Sequence, residues 1–133
     1  MDPCWLLWEK AIAEKGITLD RPRRAHHPDF PNIIYPLDYG YVNETPGEDA
    51  QELDVFVGSV PTGVVAYERT IDHRKGDTEI KVLYNCSPQE VYMVHGFLNY
   101  APELFSGKLV MRFAMRTLWE RTAALEIPPI SPG

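Results

Sequence analysis

Val64-Val65-Ala66-Tyr67-Glu68-Arg69-Thr70-Ile71, then Asp72-His73-Arg74-Lys75-Gly76-Asp77, then Glu79-Ile80-Lys81-Val82-Leu83-Tyr84: two apolar, β-branched runs flank a short polar join. The runs have the composition of strands, and Gly76 supplies the conformational freedom a tight reversal needs, so the stretch predicts a β-hairpin with Gly76 at its tip. Upstream, Leu53-Asp54-Val55-Phe56-Val57 alternates, placing Leu53, Val55 and Val57 on one face and Asp54 and Phe56 on the other. Before it, Ile33 to Val42 is aromatic and strand-like. Pro36 and Gly40 predict bends or bulges in that run, and Pro46-Gly47 predicts a turn after it.

Helical signals lie outside this β-rich centre. Ser87-Pro88-Gln89-Glu90 combines a capping box with proline at the first helical position, predicting a helix from Pro88 to about Tyr100 that Pro102 ends. At the N-terminus, Asp2-Pro3 starts and Gly16 stops a helix over residues 3 to 15, with Trp5, Trp8 and Ile12 on its packing face. Between it and the strands, Ile17 to Asp20 reads as extended and residues 21 to 32 as a basic loop broken by three prolines. Lys108 to Leu125 begins strand-like and turns helix-favouring, and residues 126 to 133 read as a tail. The pattern predicts a mainly β, α+β chain: a small five-stranded β-barrel over residues 17 to 86, an N-terminal helix over 1 to 16 and a helical or mixed part over 87 to 125. At 133 residues and 44% hydrophobic content, one domain with a single core is expected.

A net charge of −6 opposes non-specific binding to nucleic acid or to an anionic membrane. No apolar run approaches the roughly 18 residues of a spanning helix. Cys4 and Cys86 make neither a disulfide framework nor a CxxC zinc pattern, so reduced thiols and a cytoplasmic location are expected. His26, His27 and His73 could be grouped as a zinc site, but adjacent histidines diverge and no cysteine has ligand spacing near them.

The chemistry-bearing feature is four aspartates in two equally spaced pairs, Asp49 with Asp54 and Asp72 with Asp77. Carboxylates brought together repel unless a hard cation separates them, which points to magnesium. Asp49 and Asp54 converge only if residues 49 to 52 curl. Carried back along the strand pleat, Asp77, Glu79 and Lys81 share one face at roughly 7 Å spacing, setting a cation beside the acids. Taken singly, each pair is equally the composition of a solvated turn.

Tyr35-Pro36-Leu37-Asp38-Tyr39-Gly40-Tyr41, followed by Glu48-Asp49-Ala50-Gln51-Glu52-Leu53-Asp54-Val55, resembles the soluble family I inorganic pyrophosphatases, and Asp72 and Asp77 match that family's second acidic pair in order and spacing. The likeness spans about residues 17 to 100. It implies an OB-type barrel and magnesium-dependent hydrolysis of pyrophosphate to two phosphates, with Asp49, Asp54, Asp72 and Asp77 holding Mg2+. Bound metal would neutralise developing charge and acidify the attacking water. The resemblance also implies phosphate contacts from Tyr39, Tyr100 and Arg21, with Arg23 and Arg24 as competitors and Lys81 as a compensating cation. The chain departs from the family where the general-base acid is replaced by Gln51 and where Glu79 and Ala101 stand at two lysine positions, so another phosphoanhydride or phosphoester, or an OB-type binding module without turnover, stays open beside the hydrolase. Family members usually assemble. Trp5 and Trp8 suit either a subunit contact in a homo-oligomer or core packing.

Overall fold

The computed structural model describes residues 4 to 44 and 53 to 126. Asp49, Gln51, the expected turn at Pro46-Gly47, the Asp2-Pro3 helix start and the tail from residue 127 lie outside the described residues. The elements are α1 (Trp5–Lys15), β1 (Ile17–Arg21), β2 (Asp38–Val42), β3 (Leu53–Val57), β4 (Val64–Asp72), β5 (Asp77–Tyr84), α2 (Pro88–Leu98), β6 (Phe105–Met111) and α3 (Met115–Glu126).

The expected hairpin is present, with β4 and β5 antiparallel, Asp72 opposite Asp77, and Gly76 at φ +80° in the turn. Six strands form one mixed sheet in the order β1-β2-β3-β5-β4-β6, with β3 and β5 parallel at its centre. The mainly β, α+β class with flanking helices holds. The sheet has a sixth strand, because the Phe105 to Met111 run pairs along the outer edge of β4, and β1 and β6 remain its two edges rather than closing a five-stranded barrel.

Two apolar clusters replace the expected single core. Alternation in the central strands sends Val55 and Val82 to one side, where Val42, Val64 and Ile12 of α1 complete a cluster, and Phe56 and Leu83 to the other, where Val91 and Val94 of α2 and Leu118 of α3 join them. A sheet covered on both faces needs apolar residues in both strand phases, which the β3 sequence supplies. Trp5 and Trp8 lie on Tyr67 with ring centroids 5.5 and 5.6 Å away, so both have packing partners within the chain.

The start of α2 is realised in detail, whereas α1 begins at Trp5 with Cys4 as an N-cap that makes no side-chain bond. Ser87 Oγ accepts from the Glu90 amide at 3.2 Å while Glu90 Oε1 accepts from the Ser87 amide at 2.9 Å, a reciprocal capping box that also takes the Ser59 amide at 3.1 Å. α2 ends at Leu98, two residues before Tyr100. Gly16, at φ +78°, stops α1 and its amide donates to the Ile12 carbonyl.

Glu68, Lys81 and Glu90 are the buried residues of charged type among those described, and Glu68 is the most deeply buried of them. Glu68 on β4 is fully buried, its Oε2 lies 2.8 Å from His95 Nδ1 of α2, and its Oε1 has no hydrogen-bond partner among the described residues. Burial pushes its pKa above the ordinary glutamate range, against the opposing pull of His95. The folded chain therefore holds this proton more tightly than the unfolded chain does. Stability is lost as pH rises from the ordinary glutamate range through the raised folded value. Glu68→Gln, which cannot ionise, is expected to melt at a higher temperature than the parent near neutral pH and to show no such gain in acid; an equal difference at both pH values would count against this account.

Candidate functional site

A cleft of about 600 Å³ opens between the 22–37 loop, the β4–β5 turn, the end of α2 and the segment leading into β6. Arg21, His27, Arg74 and Lys75 line it together with Tyr35 and Tyr39. The loop is held in place by pairing of its own ends: the His27 amide bonds the Ile33 carbonyl at 2.9 Å, and the Tyr35 amide bonds the Ala25 carbonyl at 3.0 Å. That hairpin-like closure brings Tyr35 under Arg21, whose guanidinium carbon lies 5.2 Å from the ring centroid and whose Nη1 donates to the Tyr35 hydroxyl.

His27 stacks on Tyr35 at 6.4 Å with an 11° interplanar angle, and its Nδ1 accepts the Asp29 and Phe30 amides at 3.0 and 3.3 Å. Burial, reinforced by Arg21, lowers its pKa, so the ring is a neutral acceptor that fixes the loop rather than a cation. Arg23 and Arg24 are exposed and line no part of the cleft; the Arg23 amide donates to Asp38 Oδ1 at 2.8 Å, and the Arg24 amide to the Tyr35 carbonyl at 2.8 Å.

Of the four aspartates, Asp54, Asp72 and Asp77 fall among the described residues, and Asp72 lines the cleft. Parallel register sets Asp54 of β3 beside Lys81 of β5, and the Lys81 ammonium, with only 7% of the residue exposed, donates to Asp54 Oδ2 at 3.0 Å, Glu79 Oε2 at 3.0 Å and Tyr39 Oη at 2.8 Å. Burial works to lower its pKa, but Tyr39, Asp54 and Glu79 outweigh burial and raise it above the ordinary lysine range. All three N–H donors are committed inside the protein, so Lys81 organises the site floor and has none left for a ligand. Burial likewise pushes the Tyr39 hydroxyl above its ordinary range, which makes it a neutral hydrogen-bonding group.

Asp72 is engaged too. Its Oδ1 accepts the Arg74 and Lys75 amides at 3.0 and 3.4 Å, and its Oδ2 accepts Arg74 Nη2 at 3.2 Å. These Arg74 contacts hold its carboxyl below the usual carboxylate range. Asp77 is exposed and outside the cleft. Tyr100 stands 75% exposed at the cleft rim beside Ala101.

Carboxylate oxygens are suitable donors for magnesium, but among the described residues no three acidic or imidazole groups gather to hold an ion. Ion pairs with Lys81 and Arg74 occupy Asp54 and Asp72 instead. Asp49 lies outside the described residues, so an ion here would need Asp54 and Asp72 released from these pairs. His26, His27 and His73 take separate partners, with His26 Nδ1 2.6 Å from the Pro31 carbonyl and His73 Nε2 2.9 Å from Ser106 Oγ. Cys86 is buried, and burial pushes its thiol far above the reactive range.

No protein-family model and no curated protein sequence matches the chain. Among solved structures, an inorganic pyrophosphatase from Coxiella burnetii is similar with a TM-score of 0.51 and 16% identity, over 79% of this chain and 90% of that one. The fold is pyrophosphatase-like. An inorganic pyrophosphatase from Thermus thermophilus is also similar, with a TM-score of 0.41 and 19% identity over 82% of this chain and 87% of that one. At such identity the likeness bears on the course of the chain and not on its chemistry. No helix in the described residues is long and apolar enough to cross a membrane.

Sequence reasoning pointed to Arg21, Tyr39, Lys81, Asp72 and Tyr100, and the fold brings all five to one region; it did not find Phe30, Phe97 or the role of His27. The only sequence signal for Phe30 and His27 was the composition of the proline-broken loop; Phe97, on α2, gave none.

Proposed function

We propose that the chain binds pyrophosphate, or an anion built on it, in this cleft through Arg21 and Lys75, with Arg74 beside them and the Tyr39 hydroxyl as a neutral partner. The observation that carries the reading is the convergence of cationic side chains from β1 and the β4–β5 turn on one concavity of a chain whose net charge is −6. Arg21 makes no ion pair among the described residues, and neither does Lys75, so their charge is available to an anion. A planar guanidinium suits paired phosphoryl oxygens, and a charge-assisted contact stabilises roughly twice as well as a neutral one.

The test is calorimetric titration with pyrophosphate, in chelator and in magnesium, alongside an assay of released phosphate. Saturable binding in chelator is the expected result, and no binding under either condition would overturn the reading. Arg21→Ala is expected to weaken binding roughly 10- to 100-fold, the loss of one hydrogen-bonded charge.

Magnesium-dependent hydrolysis with metal on Asp49, Asp54, Asp72 and Asp77 is the second reading, favoured by the register that sets Asp72 directly opposite Asp77. Phosphate release that begins only when magnesium is added, and is lost in Asp54→Asn, would make the chain a hydrolase rather than a binding module. A cytoplasmic location and a homo-oligomer belong to the same proposal, the latter tested by solution mass.

A further inference from the structure

The cleft is walled by more aromatic surface than a bare inorganic anion can use. Phe30 and Tyr100 stand 44% and 75% exposed at its rim, with Leu104 48% exposed beside them, while Tyr35 and Phe97, 5.1 Å apart between ring centroids, lie deeper. Arg74 spans the two chemistries. Its guanidinium carbon is 5.4 Å from the Phe30 ring centroid while its edge bonds Asp72. At about 600 Å³ the volume falls among clefts that enclose a drug-sized organic molecule, several times what two phosphoryl groups fill.

We infer that the ligand is an organic pyrophosphate carrying a planar ring, the chemistry of a nucleoside diphosphate, with its phosphates on Arg21 and Lys75 and its ring against Phe30 and Tyr100. The inference rests on the anion reading above and adds the ring. Exposed aromatic faces beside cations are the elements with which proteins hold bases irrespective of their edges, since every base offers a π-face. An extended polynucleotide is disfavoured as the occupant, because a chain of net charge −6 repels a long phosphate backbone whereas a short anion meets only the local cations. Tyr100 is 75% exposed, whereas the Phe30 ring has His27 at 5.2 Å and Arg74 at 5.4 Å, so Tyr100 is the freer of the two rim rings.

The experiment titrates the intact chain, in chelator, with pyrophosphate, ADP and adenosine, and repeats the first two with Phe30→Leu and Tyr100→Leu, which keep apolar bulk but remove the ring. Expected are ADP binding at least about 5-fold tighter than pyrophosphate, the smaller end of a base-stacking contribution, and weak adenosine binding. In one or both variants that advantage should disappear while pyrophosphate binding is retained. ADP binding no tighter than pyrophosphate would overturn the inference and leave the anion site standing. An ADP advantage unchanged in both variants would overturn the placement of the ring. Failure of both phosphates to bind would overturn the anion site itself, and with it this inference.

Discussion

Lys81→Met is expected to lower the melting temperature by about 10 °C, the largest loss among single side-chain replacements in the floor of the site. Methionine matches the four-atom apolar stem of lysine without its ammonium, so apolar packing along β5 changes little. What is lost is the ammonium that Asp54 Oδ2 and Glu79 Oε2 each approach to 3.0 Å. Two carboxylates drawn to one point then repel with no cation between them. Removing one member of a fully buried pair costs roughly 3–5 kcal/mol, and the Glu79 side chain is 46% exposed, so solvent screening places the expected loss at the lower end, about 3 kcal/mol. The variant also frees Asp54 and Glu79 for a divalent ion. Magnesium is therefore expected to raise the melting temperature of Lys81→Met and to leave that of the parent unchanged. Thermal unfolding followed by circular dichroism with and without magnesium reads both effects; a parent-like melting temperature in chelator would show that the ammonium contributes nothing to the fold.

That network also marks the boundary of what could be read from the chain. The β4–β5 hairpin, the α2 capping box and the two-faced β3 strand were legible because each is written in neighbouring residues: Gly76 in a polar join, Ser87 three residues before Glu90, apolar side chains in both phases of residues 53 to 57. Even the grouping of Glu79 with Lys81 followed from the pleat. Pairing of Asp54 with Lys81 did not, since it depends on β3 and β5 lying parallel across a sequence separation of 27. The same holds for β6, whose edge position beside β4 no local pattern announces, and hence for the six-stranded open sheet in place of a five-stranded barrel.

Equal spacing of the aspartates does not by itself say what each one does. The three among the described residues have different local duties. Asp72 closes the turn by accepting the Arg74 and Lys75 amides, Asp77 starts β5 in solvent, and Asp54 faces an internal lysine. Aspartate suits all three places: its short side chain bonds backbone two residues on as readily as it meets a cation. The cationic loop does line the cleft, and Arg21 is separated from Arg23 and Arg24 by geometry: Arg21 closes β1 opposite Tyr39, and the other two lie beyond the strand end.

Gly40→Ala is expected to disrupt both the fold and the site, although it adds a single methyl group. Gly40 lies buried in β2 opposite Leu19 of β1, and a Cβ there would come within 2.0 Å of the Thr18 carbonyl oxygen and 2.9 Å of Leu19 Cα. Both obstacles are backbone, so no rotamer change relieves them; β1 must move away from β2. Inserting a methyl into a packed interior costs typically about 1–3 kcal/mol, and a contact this short with main chain belongs at or above the top of that range. The displacement also acts on chemistry. β1 ends at Arg21, which β2 holds opposite Tyr39 across a register shift between Leu19 and Arg21. Moving the strand carries the guanidinium off the Tyr35 ring and away from Lys75. The variant is therefore expected to melt about 10 °C or more below the parent and, below its melting range, to bind pyrophosphate more weakly than the parent by at least the factor lost in Arg21→Ala. Gly40→Ser should behave alike, whereas Gly76→Ala, with no atom within 4 Å of its added Cβ, should bear only the modest strain of its positive φ and keep the ligand. Parent-like melting and binding in Gly40→Ala would show that β1 yields freely, and that the Tyr39-Gly40-Tyr41 segment does not fix the position of Arg21.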